Sequence, residues 1–412
     1  MLQKRILRQQ SSFLLACMAA SLLCLTIACV KVEETKEANE DELEKLRALP
    51  YLEYSEEKAD EKKVGVVFYN PARAYEGVNL YDSTLMDMEG NIVKAWPWMF
   101  YSFLLDGGVL LGQGKDETLF GKYTWESQPV WEKKIHNHHD IAITAENTIL
   151  IPSREVKEYN GRKVAFDTIL ELSQAGEELS HWSTWDHFEH LKQFHKKSAL
   201  DKPFGAKDFK RGRLKKMFKL RFGNLHAIGA DYDYYHLNSI QVVPENKSAK
   251  KDKKFQKGNW LICFKHVDLV LILDKDTKNV VWNYGTGVLA FPHMPRMLEN
   301  GNILIYDNGT KKRRFSRVIE VDPLTKEIVW EYTADPPESF FSPSLGAAQR
   351  LPNNNTLITD SMNGRAFEVT KEGEIVWEWY KPQFKKGTSR RAVVYRMIRY
   401  QEKSIERIMG LN

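Results

Sequence analysis

Residues 290–332 read AFPHMPRMLENGNILIYDNGTKKRRFSRVIEVDPLTKEIVWEY, and the pattern in this stretch decides the fold. An apolar run at 294–298 meets the turn Glu299-Asn300-Gly301-Asn302, and a second run at 303–306 returns. After a polar loop, a third run at 317–321 turns at Asp322-Pro323-Leu324-Thr325-Lys326 into a fourth at 327–332. Gly and Asn supply the positive φ that tight hairpins need, so the stretch is expected to form a four-stranded antiparallel meander. A sheet of this size cannot bury both of its own faces. It needs neighbours of the same kind.

The neighbours are present. The closing signature EIVW at 327–330 recurs as EIVW at 374–377 and as NVVW at 279–282. Looser versions are ELSHW at 178–182, PVW at 129–131 and NIVKAW at 91–96. The tryptophans involved are Trp96, Trp131, Trp182, Trp282, Trp330 and Trp377, with separations of 35, 51, 100, 48 and 47 residues. A period near 45 with four strands per unit predicts an all-β fold, a six-bladed β-propeller, with an insertion in the long gap. A generic β-sandwich would not explain a tryptophan at the same place in every unit.

The chain has 412 residues, enough for one large ring or two ordinary domains. Its net charge of +5 is modest for that length and gives no ground for a nucleic-acid partner. Lys4, Arg5 and Arg8 precede an apolar run from Phe13 to Val30, the charge order of an export signal or membrane anchor. Leu25-Thr26-Ile27-Ala28-Cys29 resembles a lipobox, so residues 1–30 are expected to be a signal peptide or a lipoprotein anchor at Cys29. Either reading places the body in the periplasm or cell envelope, tethered to the membrane. Cys17, Cys24 and Cys29 all lie in this leader, which leaves Cys263 alone in the body and excludes an internal disulfide there. Residues 31–63 are highly charged and are expected to be a linker.

The propeller is expected to span 64–400, with blade one at 64–98, blade two at 99–133 and blade three from His136 to Trp182. Residues 184–231 break the pattern and are expected to cap one mouth of the ring. WDHFEHLKQFHKK at 185–197 has the period of an amphipathic helix, and 207–221 carries eight basic residues against one acidic. That run suits an anionic substrate or lipid head group, or is simply a solvated helix face. The tail from Arg390, closing with 401–412, has a helical period and is expected to pack outside the ring.

Propellers place chemistry at one mouth of the channel, where the innermost strands begin. Blade three opens with His136, His138, His139 and Asp140, blade four with His236 and Asn238, and blade five with His293 and Arg296. Three consecutive blades thus present a histidine at the same structural place.

His138-His139-Asp140, His236-Leu237-Asn238-Ser239-Ile240 and Pro292-His293-Met294-Pro295-Arg296 together resemble the bacterial arylsulfate sulfotransferases. So do the run Asn300-Gly301-Asn302 through Asp307-Asn308-Gly309, Gln349-Arg350-Leu351-Pro352-Asn353, and Tyr395-Arg396. The resemblance covers roughly residues 130–400. It implies a periplasmic six-bladed propeller that moves a sulfuryl group from an aryl sulfate ester to a phenol through a sulfated histidine, with no nucleotide cofactor. It further implies His293 as nucleophile, His236 and His139 as acid/base groups and donors to the sulfuryl oxygens, and Asn238, Arg296, His138 and Arg350 as substrate-binding groups. A neutral imidazole suits the first role, since a covalent intermediate divides one hard transfer into two.

One departure stands out. Where the family pattern has Ser-x-Arg, this chain has Cys263-Phe264-Lys265. Lys265 keeps the positive charge for the oxyanion but loses the planar two-point grip of a guanidinium. Two other readings remain open: a metal held by His136, His138, His139, His236 and His293, and an envelope propeller that binds a ligand or protein without catalysis.

Overall fold

The computed structural model describes residues 54–55, 58–97, 99–105, 107–114, 118–196, 198–201, 228–310 and 313–401. The expected leader, the basic run at 207–221 and the tail from 402 lie outside the described residues. Among those described, no helix is long and apolar enough to cross a membrane.

Six antiparallel sheets form the blades of a six-bladed propeller. Blade five is the stretch read first, with strands Pro292–Met297, Ile303–Asp307, Arg317–Val321 and Ile328–Tyr332 paired in chain order. Blade four repeats this order with Leu237–Val242, Trp260–Phe264, Leu269–Leu273 and Val280–Tyr284. The run Ile303-Leu304-Ile305-Tyr306 is apolar at every position because both faces of the blade are covered. Ile303 and Ile305 pack with Leu261 and Val270 of blade four, while Leu304 and Tyr306 pack with Ile358 and Phe367 of blade six.

The repeated tryptophan has a physical reason. Its indole N–H donates to a backbone carbonyl in the turn before the fourth strand of the next blade. Trp96 reaches the Thr124 carbonyl at 3.0 Å, Trp131 that of Gln174 at 2.9 Å and Trp282 that of Pro323 at 2.8 Å. Trp330 reaches Lys371 at 2.7 Å, and Trp377 of blade six reaches Met88 of blade one at 2.8 Å, completing the circuit. Trp182 differs. It stacks on His187 at 5.1 Å, where the insertion begins. A sequence period set by the blade length is therefore also a set of latches between blades.

Ring closure departs from expectation at both ends. Gly65–Tyr69 does not open blade one; it pairs with Ile375–Tyr380 as a fifth, outermost strand of blade six. Blade one instead takes its innermost strand, Met397–Tyr400, from the expected outer helix of the tail, and Val78–Tyr81, Thr84–Met86 and Ile92–Ala95 follow. The arginines of this segment misled the reading, because a buried ion pair looks like a solvated face in sequence. Arg396 and Arg399 are buried, bonded to Asp140 and Glu368. The expected linker is also docked earlier than residue 63: Tyr54 bridges Ala392, and the Ser55 N–H donates to the Arg391 carbonyl at 2.7 Å.

Among its described residues the insertion has a short helix, Phe188–Leu191, and 3-10 turns at Lys192–Phe194 and Ala199–Asp201, where the period of 185–197 suggested a longer helix. Phe188 and Leu191 are buried against the core between blades three and four. The Thr286 hydroxyl donates to the Phe194 carbonyl at 2.9 Å. Thr286 lies in the loop that leads into the innermost strand of blade five, so this part of the insertion sits at the mouth where His293 is found.

Candidate active site

Irregular backbone marks this mouth. The innermost strands of blades two, four and five each slip register, at Phe100/Phe103, Leu237/Ser239 and His293/Arg296. Tyr101, His139, His236, Phe291 and Met294 all have φ between 40° and 69°. Each such residue costs about 1–3 kcal/mol of local strain, which persists only where surrounding structure over-determines it. The bulges turn side chains that a regular strand would send into the blade toward the channel.

His293 is buried, with Nδ1 at 2.7 Å from Oδ1 of Asn308 and 3.0 Å from the Phe291 carbonyl. The Asn308 amide is itself oriented, since its Nδ2 donates to the Leu345 carbonyl at 2.8 Å and to that of Ser342. Both groups facing Nδ1 are therefore acceptors, so Nδ1 carries the proton and Nε2 presents a bare lone pair. No protein partner meets that Nε2 among the described residues. Burial, with Lys265 adding to it, pushes the imidazole pKa down to about 3. His293 is a neutral imidazole held in one tautomer, with its Nε2 bare.

His139 and His236 face each other, Nε2 to Nε2 at 3.0 Å. His139 Nδ1 lies 3.0 Å from the Tyr101 hydroxyl, and His236 Nδ1 lies 2.7 Å from Oδ2 of Asp233. Asp233 is anchored by Arg154 at 3.1 Å, and the His266 ring stacks on His236 at 4.7 Å. Burial first, then neighbouring histidines and Arg154, with Lys265 acting on His236 as well, hold both imidazoles well below the usual histidine range.

Lys265 is buried, its ammonium 3.1 Å from the Ser344 hydroxyl and 5.6 Å from the centre of the Phe291 ring. Its charge adds to burial in depressing the basicity of both His236 and His293.

Other expected residues have different partners. Arg296 donates to Asp140 at 2.8 Å and to the Ser239 hydroxyl at 2.7 Å, while Arg396 takes the other Asp140 oxygen at 2.7 Å. Burial would raise the Asp140 carboxyl, but the two arginines outweigh it and hold it below the usual range. Arg296 thus braces the channel beside the site. Asn238 donates to the carbonyl of Pro292 at 2.7 Å and so fixes the residue before His293. His138 turns to the Ser153 carbonyl at 3.3 Å and to Asp167 at 3.4 Å. Arg350 lies at the far end of its innermost strand, bound to Glu320 at 2.7 Å and stacked over Trp330 at 4.6 Å. It does not join the site.

Sequence reasoning missed Asn308, Asp233, Tyr101 and Ser344. Asp233 stands three residues before His236, a spacing that hinted at a pair, whereas Tyr101 and Ser344 come from other blades with no local signal.

Of the five histidines expected for a metal, His139 and His236 meet, but the five form no single ligand cluster among the described residues. The groups that do lie together are Asp233, His236 and His266, with ligand atoms within 4.8 Å of one another. Arg154 already binds that Asp233 oxygen, and Lys265 acts on His236, so a divalent cation would enter against two buried positive charges. The same charges favour an anion.

The family model described as Arylsulfotransferase (ASST) matches residues 115–383. No curated protein matches the chain. Among solved structures, a protein of unknown function from Bacteroides caccae shares 13% identity with a TM-score of 0.47, covering 78% of this chain and 98% of its own. A catalytically inactive virginiamycin B lyase from Staphylococcus aureus with quinupristin shares 9% identity with a TM-score of 0.40, covering 81% of this chain and 90% of its own.

Proposed function

This chain belongs to the arylsulfotransferase family, and on that premise we propose that it transfers a sulfuryl group from an aryl sulfate ester to a phenol through a sulfated His293. The observation that carries the reading is the bare, buried Nε2 of His293, an imidazole whose basicity the Lys265 charge helps to depress. In the first half-reaction the Nε2 lone pair attacks sulfur, and the bond from sulfur to the aryl oxygen breaks with its electron pair leaving on that oxygen. Lys265 holds the charge of the sulfuryl oxygens, and the His139–His236 pair moves the proton that the departing oxygen takes up. In the second half-reaction a phenol oxygen bonds to the sulfur, and the bond from sulfur to His293 Nε2 breaks with its electron pair returning to that nitrogen. The phenol gives up its proton in place of the one the first step used. The chemistry needs no nucleotide cofactor, because the activated ester is itself the donor.

The test is steady-state transfer from 4-nitrophenyl sulfate to phenol, varying both. A covalent intermediate predicts parallel double-reciprocal lines, and intersecting lines would rule it out. Because His293 stays neutral down to about pH 3, the nitrophenol burst should show no loss from His293 protonation between about pH 5 and pH 8. A depressed histidine pKa loses its neutral form only on acidification through that lower value.

We also propose export and membrane attachment through residues 1–30, supported by the basic-then-apolar leader and Cys29. Fractionation should place the chain in the envelope, and Cys29→Ser should abolish lipid labelling. An intact chain soluble in the cytoplasm would end this reading.

A further inference from the structure

Lys265 meets a second polar side chain from across the ring. Its Nζ lies 3.1 Å from the Ser344 hydroxyl, and both residues are buried, at 1% and 7% exposure. Lys265 follows the strand Trp260–Phe264 of blade four, while Ser344 precedes Ala347–Arg350, the innermost strand of blade six. An ammonium is a point charge and cannot span two oxygens as a planar guanidinium does. We infer that Lys265 and Ser344 act as one two-point grip on the sulfuryl oxygens, in which the Ser344 hydroxyl supplies the second donor. This inference rests on the transferase reading above and adds to it a residue that the histidine motifs do not contain.

The direction of the contact is forced. An ammonium has donors and no acceptor, so Lys265 donates and Ser344 Oγ accepts. The hydroxyl hydrogen of Ser344 therefore points elsewhere, and among the described residues it has no acceptor. A buried donor left unused costs about 1–3 kcal/mol unless a ligand oxygen takes it. Accepting from a cation also polarises the O–H bond, which makes it a stronger donor in a water-poor site. With 3.1 Å between Nζ and Oγ, the two donors stand close enough to meet two oxygens on one sulfur. Ser344 gives a hydrogen bond and keeps its proton, so the balance of both half-reactions is unchanged.

The backbone ties this pair to the histidines. The Lys265 N–H donates to the His236 carbonyl at 3.1 Å. Ser344 lies in the loop that orients the partner of His293. Asn308, whose Oδ1 accepts from His293 Nδ1 at 2.7 Å, donates from Nδ2 to the carbonyls of Ser342 and Leu345 at 2.5 and 2.8 Å. Those two carbonyls bracket Ser344. The loop is braced from within as well: the Ser342 hydroxyl donates to the Leu345 carbonyl at 2.5 Å and accepts from the Met362 N–H at 3.2 Å. A Cβ at Gly346 would lie 2.2 Å from the Tyr306 ring, so the chain beyond Leu345 presses on blade five with no room to shift. Ser344 is thus held by contacts that need no substrate, which is what a preorganised oxyanion donor requires.

The test places Ser344→Ala in two backgrounds of the full chain. In the wild type it should lower kcat/KM for 4-nitrophenyl sulfate about 10²-fold, the scale of one lost oxyanion donor. In Lys265→Arg the guanidinium offers two N–H groups to two oxygens by itself, so the same change should cost less than about threefold. A second measurement needs no turnover. Calorimetry compares benzenesulfonate, which has sulfur oxygens and no leaving group, with neutral phenol. Ser344→Ala should weaken benzenesulfonate about tenfold or more and leave phenol binding as it was, which also certifies the fold. Equal losses on the two ligands would make Ser344 a prop of its loop, and an equal loss in the Lys265→Arg background would make it an anchor of the cation. Either result overturns the grip, as does no loss at all or a wild-type chain that does not bind benzenesulfonate. If the wild type forms no sulfated intermediate while Ser344→Ala weakens benzenesulfonate alone, the transferase reading fails and the grip stands as an anion site. If the intermediate forms and Ser344→Ala changes nothing, the grip alone fails.

Discussion

His293→Ala should abolish both the stoichiometric burst of nitrophenol and the covalent adduct. Intact-protein mass spectrometry after brief exposure to 4-nitrophenyl sulfate, with no acceptor added, should show one sulfuryl group on the wild-type chain and none on the variant. The expectation rests on geometry and not on the mere presence of a histidine. A core imidazole that only satisfied a carbonyl would have no reason to present its other nitrogen bare in a buried pocket beside a lysine. Here Asn308 and the Phe291 carbonyl both bind Nδ1, and Nε2 has no protein partner among the described residues. His236→Ala should still form the adduct from this reactive donor, but more slowly. Should several activated aryl sulfates give neither burst nor adduct with the wild-type chain, the site would be that of a binding propeller.

The second large effect is expected at Lys265. Lys265→Ala should cut turnover about 10²–10³-fold, the scale of losing one donor to an oxyanion in a water-poor site. Lys265→Arg should retain or improve it, since a guanidinium restores the two-point grip. Removing the ammonium should also let the basicity of His293 and His236 rise, because both are depressed in part by that charge. The burst with Lys265→Ala should therefore begin to fail at a higher pH on acidification than the wild-type burst does. Equal activity of the three proteins would show that Lys265 is a structural residue bound to Ser344 and nothing more.

Buried polar chemistry separates what was legible along the chain from what was not. The blades could be read because each is a local object: Ile303-Leu304-Ile305-Tyr306 and its turns lie within a few dozen residues, and the closing tryptophan repeats with them. The reason for the tryptophan could not be read, since its carbonyl partner sits in the next blade. The placement of His293, His236 and His139 at one mouth was legible because the start of each innermost strand is a repeating position. Ring closure was not: Arg396 and Arg399 carry the hydropathy of a surface helix, and only their partners, Asp140 and Glu368, explain why that segment is an inner strand. Arg296 and Arg350 show the same limit in reverse, as cations expected to await substrate that are bound to Asp140 and Glu320.

The sequence by itself determined the number of blades, the mouth that carries the histidines, and the lysine in place of the family arginine. The tertiary structure alone decided the tautomer of His293, the pairing of His139 with His236 and the places of Asp233 and Tyr101. The physical reason is range. Backbone propensity and hydrophobic period act between near neighbours, whereas a proton's position is set by whichever groups the closed ring brings within 3 Å, and those come from blades far apart in the chain.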